Sequence, residues 1–560
     1  MQSTTSKPAD SVGRHVPSGR LSGWTERDWL FLALVLLIGT VSFLPGLGSA
    51  SIIDSSEGYY SEASREMYEL GDYITPHLNY QTWFEKPILT YWLVSASYHA
   101  LGVNEFAARL PAALCAILTA GLLFVFCRRV LSRRAAFLSA LVLLSLPFFL
   151  VVGRLCLTDM PLTLCVTAAL GGLFCAIEGA SIWYAVAGYT ALGLGLLAKG
   201  PLALVLAGAV IVPYLAWTCT SRKDWQLKLT RLRPLLGAAL MMLVAAPWYV
   251  AVSLATKGAF AQDFFINQNL GRAAGTSVHR NLAFWYYLPV FWGGSAPWSI
   301  MLLPGAGALM RNLRQRRDAG GRLRILQYCV IWVLMMFLFF SLVPTKLSTY
   351  ILPVFPAFAV CIGVSLDSLM RVQYVRRFSI VGVLMCVALV ALLALLPILG
   401  KYLPGMDVSA AVMLVALFCA FGLYSATLWR NQAKRAFSYL TAILLAATAV
   451  IVPAGVTVYH RLHQEGFYRL VIKSAESKAD VAFTGPSALS SAFYLHKRVP
   501  DLMTRQDFQA FLNDGQEKHW VLVHRDVLNR LSWAQRPSRL IESQGRWYLF
   551  AIVDDQVETR

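Results

Sequence analysis

EFAARLPAALCAILTAGLLFVFCRRVLSRRAAFLSALVLLSLPFFLVV, residues 105–152, decides the fold class. It contains two apolar runs, 105–127 and 135–152. Each is close to the ~20 residues that a helix needs to cross a bilayer. Between them stand Arg128, Arg129, Arg133 and Arg134. An apolar run that stops at a knot of arginines and then resumes reads as two membrane-crossing helices joined on the cytoplasmic side.

The rest of the chain repeats this pattern. Of its 560 residues 57% are hydrophobic and 14% charged, where a soluble protein carries about 25% charged residues. Mean hydropathy is +0.56. Further spans are expected near 28–47, 160–177, 182–198, 201–218, 234–254, 284–309, 325–343, 347–367, 378–399, 408–428 and 437–458. The expected fold class is therefore an α-helical polytopic membrane protein with about 13 transmembrane helices. Pro87 to Leu101 is apolar but too short to span comfortably, and reads as re-entrant or interfacial. The polar start of the chain up to Trp24 is long for a secretory leader, so the first span reads as an uncleaved anchor.

The net charge is 49 − 30 = +19. On a soluble chain that would point to nucleic acid. Here the cations sit between apolar runs and set topology instead. Alternate loops are basic: 128–134, 222–233, 311–324, 371–377 and 430–435. These loops and the N-terminus are placed in the cytoplasm, and the intervening loops and the C-terminus outside, in the periplasm of a bacterial inner-membrane protein. Most of the ten cysteines lie in or beside apolar runs, and there is no Cys-x-x-Cys pair, so neither a disulfide framework nor a zinc ribbon is indicated. After Tyr459 the composition changes. Short strands are expected at 481–483, 520–524 and 547–553, and helices near 465–477, 487–495 and 505–513. This divides the chain into a transmembrane part, 1–459, and a small periplasmic α/β domain, 460–560.

The chemically loaded residues fall in outer loops. The first, within 54–104, is too long for a simple connection, and long loops are usually functional. It carries Asp54, Glu57, Tyr59, Tyr60, Glu62, Arg65, Glu66, His77, Glu85 and Lys86. Glu57 and Lys86, beside aromatics and an apolar run, read as functional, whereas Glu69 and Asp72 read as solvated. The next outer loop holds Arg154 and Asp159 at a helix edge, where an ionisable residue is costly. Asp159 also reads as an N-cap, with Pro161 in the first turn behind it. Lys199 lies in AKGP between two runs. The loop 255–283 carries Gln268, Asn269, Arg272, His279 and Arg280, and VPTKLSTYILP carries Lys346 and Tyr350. Cations at a membrane boundary suit a lipid phosphate. A carboxylate suits a base or a metal, and aromatics suit a sugar face or a polyprenyl chain.

These residues resemble the polyprenyl-phosphate-dependent membrane glycosyltransferases of the type C fold, most closely the aminoarabinose transferase family that decorates lipid A. The resemblance runs from about residue 28 to 370. It rests on SREMYELGDYITPHLNYQTWFEKPILTYWL (64–93), with LTDMPLTL, LLAKGP, PWYVAV, FWYYLPV…PWS and PTKLSTYILPVFP in support. It implies a donor sugar on undecaprenyl phosphate, transferred with inversion on the periplasmic side to lipid A or a similar glycolipid. By position it implies that Glu57 is the Glu of the family's first acidic pair and Asp159 the second acidic position. Lys86 and Arg272 would contact the phosphate, Glu85 a metal ion or the sugar, and Tyr350 would lie beside the lipid phosphate. Tyr60, Lys199 and Lys346 join the expected substrate-binding set, and Asp54 the catalytic one. Two positions depart from the pattern. Ser56-Glu57 stands where the family has Asp-Glu, with Asp54 two residues earlier, and Gln268 stands where it has His.

Two other classes compete. A flippase for a lipid-linked sugar predicts ionisable residues in mid-span and an inverted repeat. Here the charges cluster at one face. A scaffold would need no such gathering of acids and bases. A glycosyltransferase of the same fold acting on protein or polysaccharide stays open.

Overall fold

The computed structural model describes residues 24–52, 56–271, 282–296, 298–301, 321–369, 465–476, 480–484, 489–499, 519–524, 538–544 and 547–552, with Gly422 and Phe511. Helix α1 (Glu26–Phe43) is followed by the long first loop. That loop holds α2 (Ser56–Leu70), the hairpin β1 (His77–Leu78) and β2 (Gln81–Thr82), and α3 (Leu89–Leu101). Then come α4 (Glu105–Val130), α5 (Arg133–Leu144), α6 (Pro147–Val152), α7 (Asp159–Ile177), α8 (Ile182–Lys199), α9 (Leu202–Thr218), α10 (Arg222–Leu232) and α11 (Pro234–Ala255). A π-helical stretch, Gln262–Leu270, precedes α12 (Tyr287–Gly294), α13 (Gly321–Leu342) and α14 (Phe355–Leu369).

Among the described residues six helical segments are long and apolar enough to cross a bilayer: α4, α7, α8, α10 with α11, α13, and Ser348–Ser368. The expected count of about thirteen takes in spans beyond these six. Spans 378–399, 408–428 and 437–458 lie outside the described residues. The expected span 135–152 is two helices, because Pro147 has no N–H to continue the ladder and opens α6 instead. The expected span 284–309 is broken as well, into a 3₁₀ turn Phe284–Tyr286, the short α12 and a second 3₁₀ turn Trp298–Met301, before the described residues stop.

Helix α7 is the most completely buried of the six segments and packs against α8, α4 and α9. Its approach to α8 is set by glycine. A Cβ at Gly172 would stand 2.6 Å from the Tyr184 carbonyl oxygen. Membrane helices use such small residues to bring backbones together. At one end of the bundle the arginines of the basic loops are tied to acids. Asp28 accepts from Arg128 and Arg133, each at 2.6 Å, Asp367 accepts from Arg134 at 2.6 Å, and Glu178 accepts from Arg324 at 2.5 Å. Asp159 begins α7 and Glu178 follows its last residue. At 1.5 Å per residue those two ends are about 28 Å apart, so the residues around Asp159 occupy the face opposite the arginine-rich one.

The C-terminal part holds α15 (Glu465–Glu476), β3 (Asp480–Thr484), α16 (Leu489–Leu495), β4 (His519–His524), β5 (Ser538–Gln544) and β6 (Trp547–Ile552). The four strands form one sheet in the order β3-β4-β6-β5, with only β3 and β4 parallel. Strand β5, which the sequence reading left out, carries Arg539, Glu542 and Gln544 and a bulge between Leu540 and Glu542. Its polar composition hides it from a pattern search.

Candidate active site

Two buried acid–cation pairs organise the face opposite the arginine-rich loops. The first is Glu57 with Arg109. Glu57 lies in the first turn of α2 and Arg109 in the second turn of α4. The Arg109 Nε donates to Glu57 Oε1 at 2.8 Å and Nη2 to Oε2 at 2.9 Å. Nη1 also donates to the carbonyls of Leu47 and Ala50, at 3.0 and 2.7 Å, and Nη2 to that of Ser51 at 2.8 Å. A guanidinium has five N–H donors, and all five are used. The Cys156 amide adds a third donor to the Glu57 carboxylate at 3.0 Å. Arg109 was not among the residues singled out from sequence. The signal was there, since it is a cation inside an apolar span, where a charge is costly without a partner.

Arg154 is also committed. Its guanidinium donates to the carbonyls of Ser42, Phe43 and Pro45 at the end of α1. It satisfies carbonyls that a helix C-terminus leaves open.

The second pair is Asp159 with Lys199. The Lys199 Nζ donates to Asp159 Oδ1 at 2.6 Å, with both side chains buried. Asp159 is the first residue of α7 and Lys199 the last of α8. Helix dipoles favour an anion at an N-terminus and a cation at a C-terminus. Thr158 occupies the N-cap position without a side-chain cap bond, and Asp159 is the first residue of the helix, not its N-cap. The turn after Lys199 needs Gly200, whose φ is +68° and whose Cβ would meet the Phe264 ring at 2.6 Å. Lys199 Nζ stands 4.5 Å from the centre of the Tyr350 ring, a cation–π contact.

Around this pair the structure gathers several of the expected residues. Tyr60 is buried, and burial pushes its hydroxyl well above the ordinary tyrosine value, with Glu85, Tyr91, Asp159 and Tyr350 adding to the effect. Those four groups therefore lie within electrostatic reach of one phenol. Tyr60 and Tyr91 rings are 6.2 Å apart, and Tyr59 stacks on Trp83 at 5.6 Å. Lys86 Nζ donates to Glu85 Oε1 at 2.9 Å. Lys346 is buried with its Nζ on the Val343 carbonyl at 2.6 Å, and burial lowers its pKa. Next to it the Leu347 carbonyl accepts from Tyr287 at 3.0 Å, which ties α12 to this turn. Glu57 is not among the groups gathered around Tyr60, because its carboxylate is turned to Arg109 and Cys156. Asp54 and Arg272 lie outside the described residues, as do His279 and Arg280. Glu69, read as solvated, is held by Arg65 and by the Tyr80 hydroxyl at 2.9 Å.

Among the described residues no three His, Cys, Asp or Glu side chains gather to hold a metal ion. Glu85 offers a single carboxylate already paired with an ammonium group. A metal ion at Glu85 would find no cluster of three such ligands among the described residues.

Residues 85–250 match the family described as dolichyl-phosphate-mannose-protein mannosyltransferase. The chain is 33% identical over 366 residues to the undecaprenyl phosphate-alpha-4-amino-4-deoxy-L-arabinose arabinosyl transferase of Aeromonas hydrophila, covering 63% of this chain and 64% of that one. It thus spans less than two thirds of that relative. It is 30% identical over 428 residues to the transferase of the same name from Pectobacterium carotovorum, covering 73% of each chain. The crystal structure of ArnT from Cupriavidus metallidurans bound to undecaprenyl phosphate superposes with a TM-score of 0.78 at 24% identity, over 95% of this chain and 99% of that one. The fold is therefore that of a multi-pass membrane protein of this kind, and the chain belongs to the undecaprenyl phosphate-alpha-4-amino-4-deoxy-L-arabinose arabinosyl transferase family.

Proposed function

We propose that the chain is an inverting glycosyltransferase of the bacterial inner membrane. It moves 4-amino-4-deoxy-L-arabinose from undecaprenyl phosphate to a periplasmic acceptor, lipid A or a similar envelope glycolipid. The N-terminus lies in the cytoplasm and the C-terminus in the periplasm. The observation that carries this reading is the Asp159–Lys199 pair beneath the Tyr350 ring, at the face opposite the arginine-rich loops, in a chain of this family.

The chemistry follows from these groups. An acceptor phosphate oxygen is already anionic near neutral pH and attacks the sugar C1 directly. The bond from C1 to the lipid phosphate oxygen breaks, and its electron pair leaves on undecaprenyl phosphate. The sugar gains positive charge in the transition state, and the Asp159 carboxylate stabilises it electrostatically. Lys86, Lys199, Lys346 and Arg272 supply the positive charge that the lipid phosphate needs before and after it leaves. Tyr60 and Tyr350 flank the sugar and phosphate, and Glu85 meets the sugar's amino group. Of the three acids offered by the sequence, Asp159 takes the transition-state role. Glu57 acts through the loop it holds, and Asp54 stays a candidate two residues before the family's Asp position.

The test is transfer by the purified full-length chain from the lipid-linked donor to lipid A, read by mass spectrometry. Lipid A from a deletion strain should lose the amino sugar. No transfer by the wild-type chain, together with unchanged lipid A in the deletion strain, defeats the reading. A reporter fused after Arg560 should be active only in the periplasm and one fused at Arg317 only in the cytoplasm. The reverse result would remove the outer-face site.

A further inference from the structure

The first outer loop carries Glu57, Tyr60, Glu85 and Lys86, yet two of its stretches have little structure of their own: the entry, 47–52, and the turn between β1 and β2. Both are held by the C-terminal α/β unit. At the entry Arg109 binds the carbonyls of Leu47, Ala50 and Ser51. The next amide, Ile52, donates to the Tyr494 hydroxyl oxygen at 2.8 Å, across 442 residues of sequence. The same hydroxyl donates to Glu105 Oε1 at 3.0 Å. Glu105 and Arg109 lie one turn apart on α4, so the entry is gripped from both sides by one face of that helix and by Tyr494.

At the turn, Asn79 and Tyr80 have φ of 55° and 60°. Two left-handed residues make the tight two-residue turn of this hairpin, a place that Asn suits better than Tyr. Asn79 Nδ2 donates to the Val499 carbonyl at 3.0 Å, and the Val499 amide donates to Asn79 Oδ1 at 2.9 Å. The side-chain amide thus pairs with a peptide group as a neighbouring strand would. Trp83, Glu85 and Lys86 follow directly. The seam is also packed. Phe493 is 3% exposed, belongs to the apolar core of the membrane helices and lies 6.5 Å from the Tyr98 ring.

We infer that the C-terminal α/β unit is a clamp on the active-site loop, with Tyr494 and Asn79 as positioning residues that fix its entry and its hairpin turn. The inference rests on the function proposed above. Tyr494 acts on α2 and hence on Tyr60. Asn79 acts on the segment that ends in Lys86, the proposed phosphate contact.

The variants are Tyr494→Phe, which keeps the ring and its packing, and Asn79→Ala, both in the full chain. A hydrogen bond contributes about 0.5–1.5 kcal/mol, so each effect should be about two- to tenfold. Asn79→Ala should raise KM for the lipid-linked donor and Kd for undecaprenyl phosphate in nanodiscs by that factor, leaving kcat within about twofold. Tyr494→Phe should lower kcat by the same factor and leave KM nearly unchanged. Amide exchange should speed up at 77–86 in the first variant and at 50–58 in the second. Wild-type constants in both variants, with or without a lower melting temperature, overturn the clamp, because a merely structural seam would change stability alone. If the wild-type chain transfers no sugar, the functional reading fails by itself. Undecaprenyl phosphate affinity and amide exchange then still decide the clamp.

Discussion

Glu57–Arg109 and Asp159–Lys199 look alike at first: each is a buried carboxylate with a buried cation, on the same face of the bundle. They differ in how fully they are used. Arg109 spends all five donors, and Glu57 receives three. Such a pair has no N–H left to offer a substrate and holds the chain instead. The Asp159 carboxylate takes a single described side-chain donor, a flexible ammonium group that also faces an aromatic ring. A lipid phosphate would compete for that ammonium group and leave the carboxylate facing the sugar. On the proposed function, the saturated pair is structural and the pair with spare capacity is the reactive one.

The contrast breaks first at Arg109. Arg109→Met leaves a buried carboxylate without its cation and three carbonyls without donors. Removing one partner of a buried pair costs about 3–5 kcal/mol. The variant should therefore show a clear fall in yield and melting temperature in detergent. An unchanged melting temperature would mean that the pair does not hold the loop.

The next test sets the two acids against each other. Asp159→Asn keeps size and a hydrogen-bond acceptor but removes the charge. Losing a preorganised electrostatic contact costs about a hundredfold or more in kcat, beside the fall in melting temperature that follows from leaving the buried Lys199 ammonium group without its anion. Glu57→Gln should also lower the melting temperature but keep turnover per folded molecule within about tenfold of wild type, because a bond to a buried charge is worth about 1.5–3 kcal/mol. If Glu57→Gln loses as much turnover as Asp159→Asn at an unchanged melting temperature, the assignment of roles is reversed.

The sequence carried much of this contrast but not all of it. The apolar runs and basic loops revealed a membrane bundle, since burial in lipid demands long apolar helices whatever the tertiary contacts. The long first loop, 54–104, and the AKGP turn flagged Tyr60, Glu85, Lys86 and Lys199. Which acid is saturated could not be read, because the partners of Glu57 lie 52 and 99 residues away. Helix breaks at 145–146 and 295–296 were hidden by continuous hydrophobicity, although Pro147 marked the first. The α/β seam depends on pairings of 389 to 442 residues in separation, which no local pattern encodes.

A smaller effect sharpens the reactive pair. Tyr350 contributes a ring face to Lys199. A cation–π contact is worth about 0.5–2 kcal/mol depending on desolvation. Tyr350→Ala should therefore raise donor KM by about two- to thirtyfold, and Tyr350→Phe, which keeps the ring, should stay close to wild type. A large loss in Tyr350→Phe would shift the role from the ring to the hydroxyl.

The smallest effect comes from a third cluster on the same helix, in which carboxylates outnumber cations. Arg65 pairs with Glu62 at 2.8 Å and with Glu69, while Glu66 is buried beside them with its Oε2 on the Tyr80 amide at 2.8 Å. Burial and then the neighbouring Glu62 push the Glu66 carboxyl up to about 8, against 4.5 ordinarily, and the Tyr80 amide and Arg65 only partly offset this. The folded chain then holds a proton that the unfolded chain has lost. Its contribution to stability is present in full below pH 4.5 and declines as pH rises to about 8. Glu66→Gln mimics the protonated form at every pH. It should leave the melting temperature nearly unchanged at pH 5.5 and raise it at pH 8.5, flattening the slope between them. The readout is thermal unfolding across that range, compared with Glu62→Gln, which leaves Arg65 short of a partner and should lower stability at both ends. An equal slope in Glu66→Gln and wild type would show that this carboxyl is ionised in the folded chain. The crowding of Glu62, Arg65 and Glu66 would then have to be balanced by a cation outside the described residues.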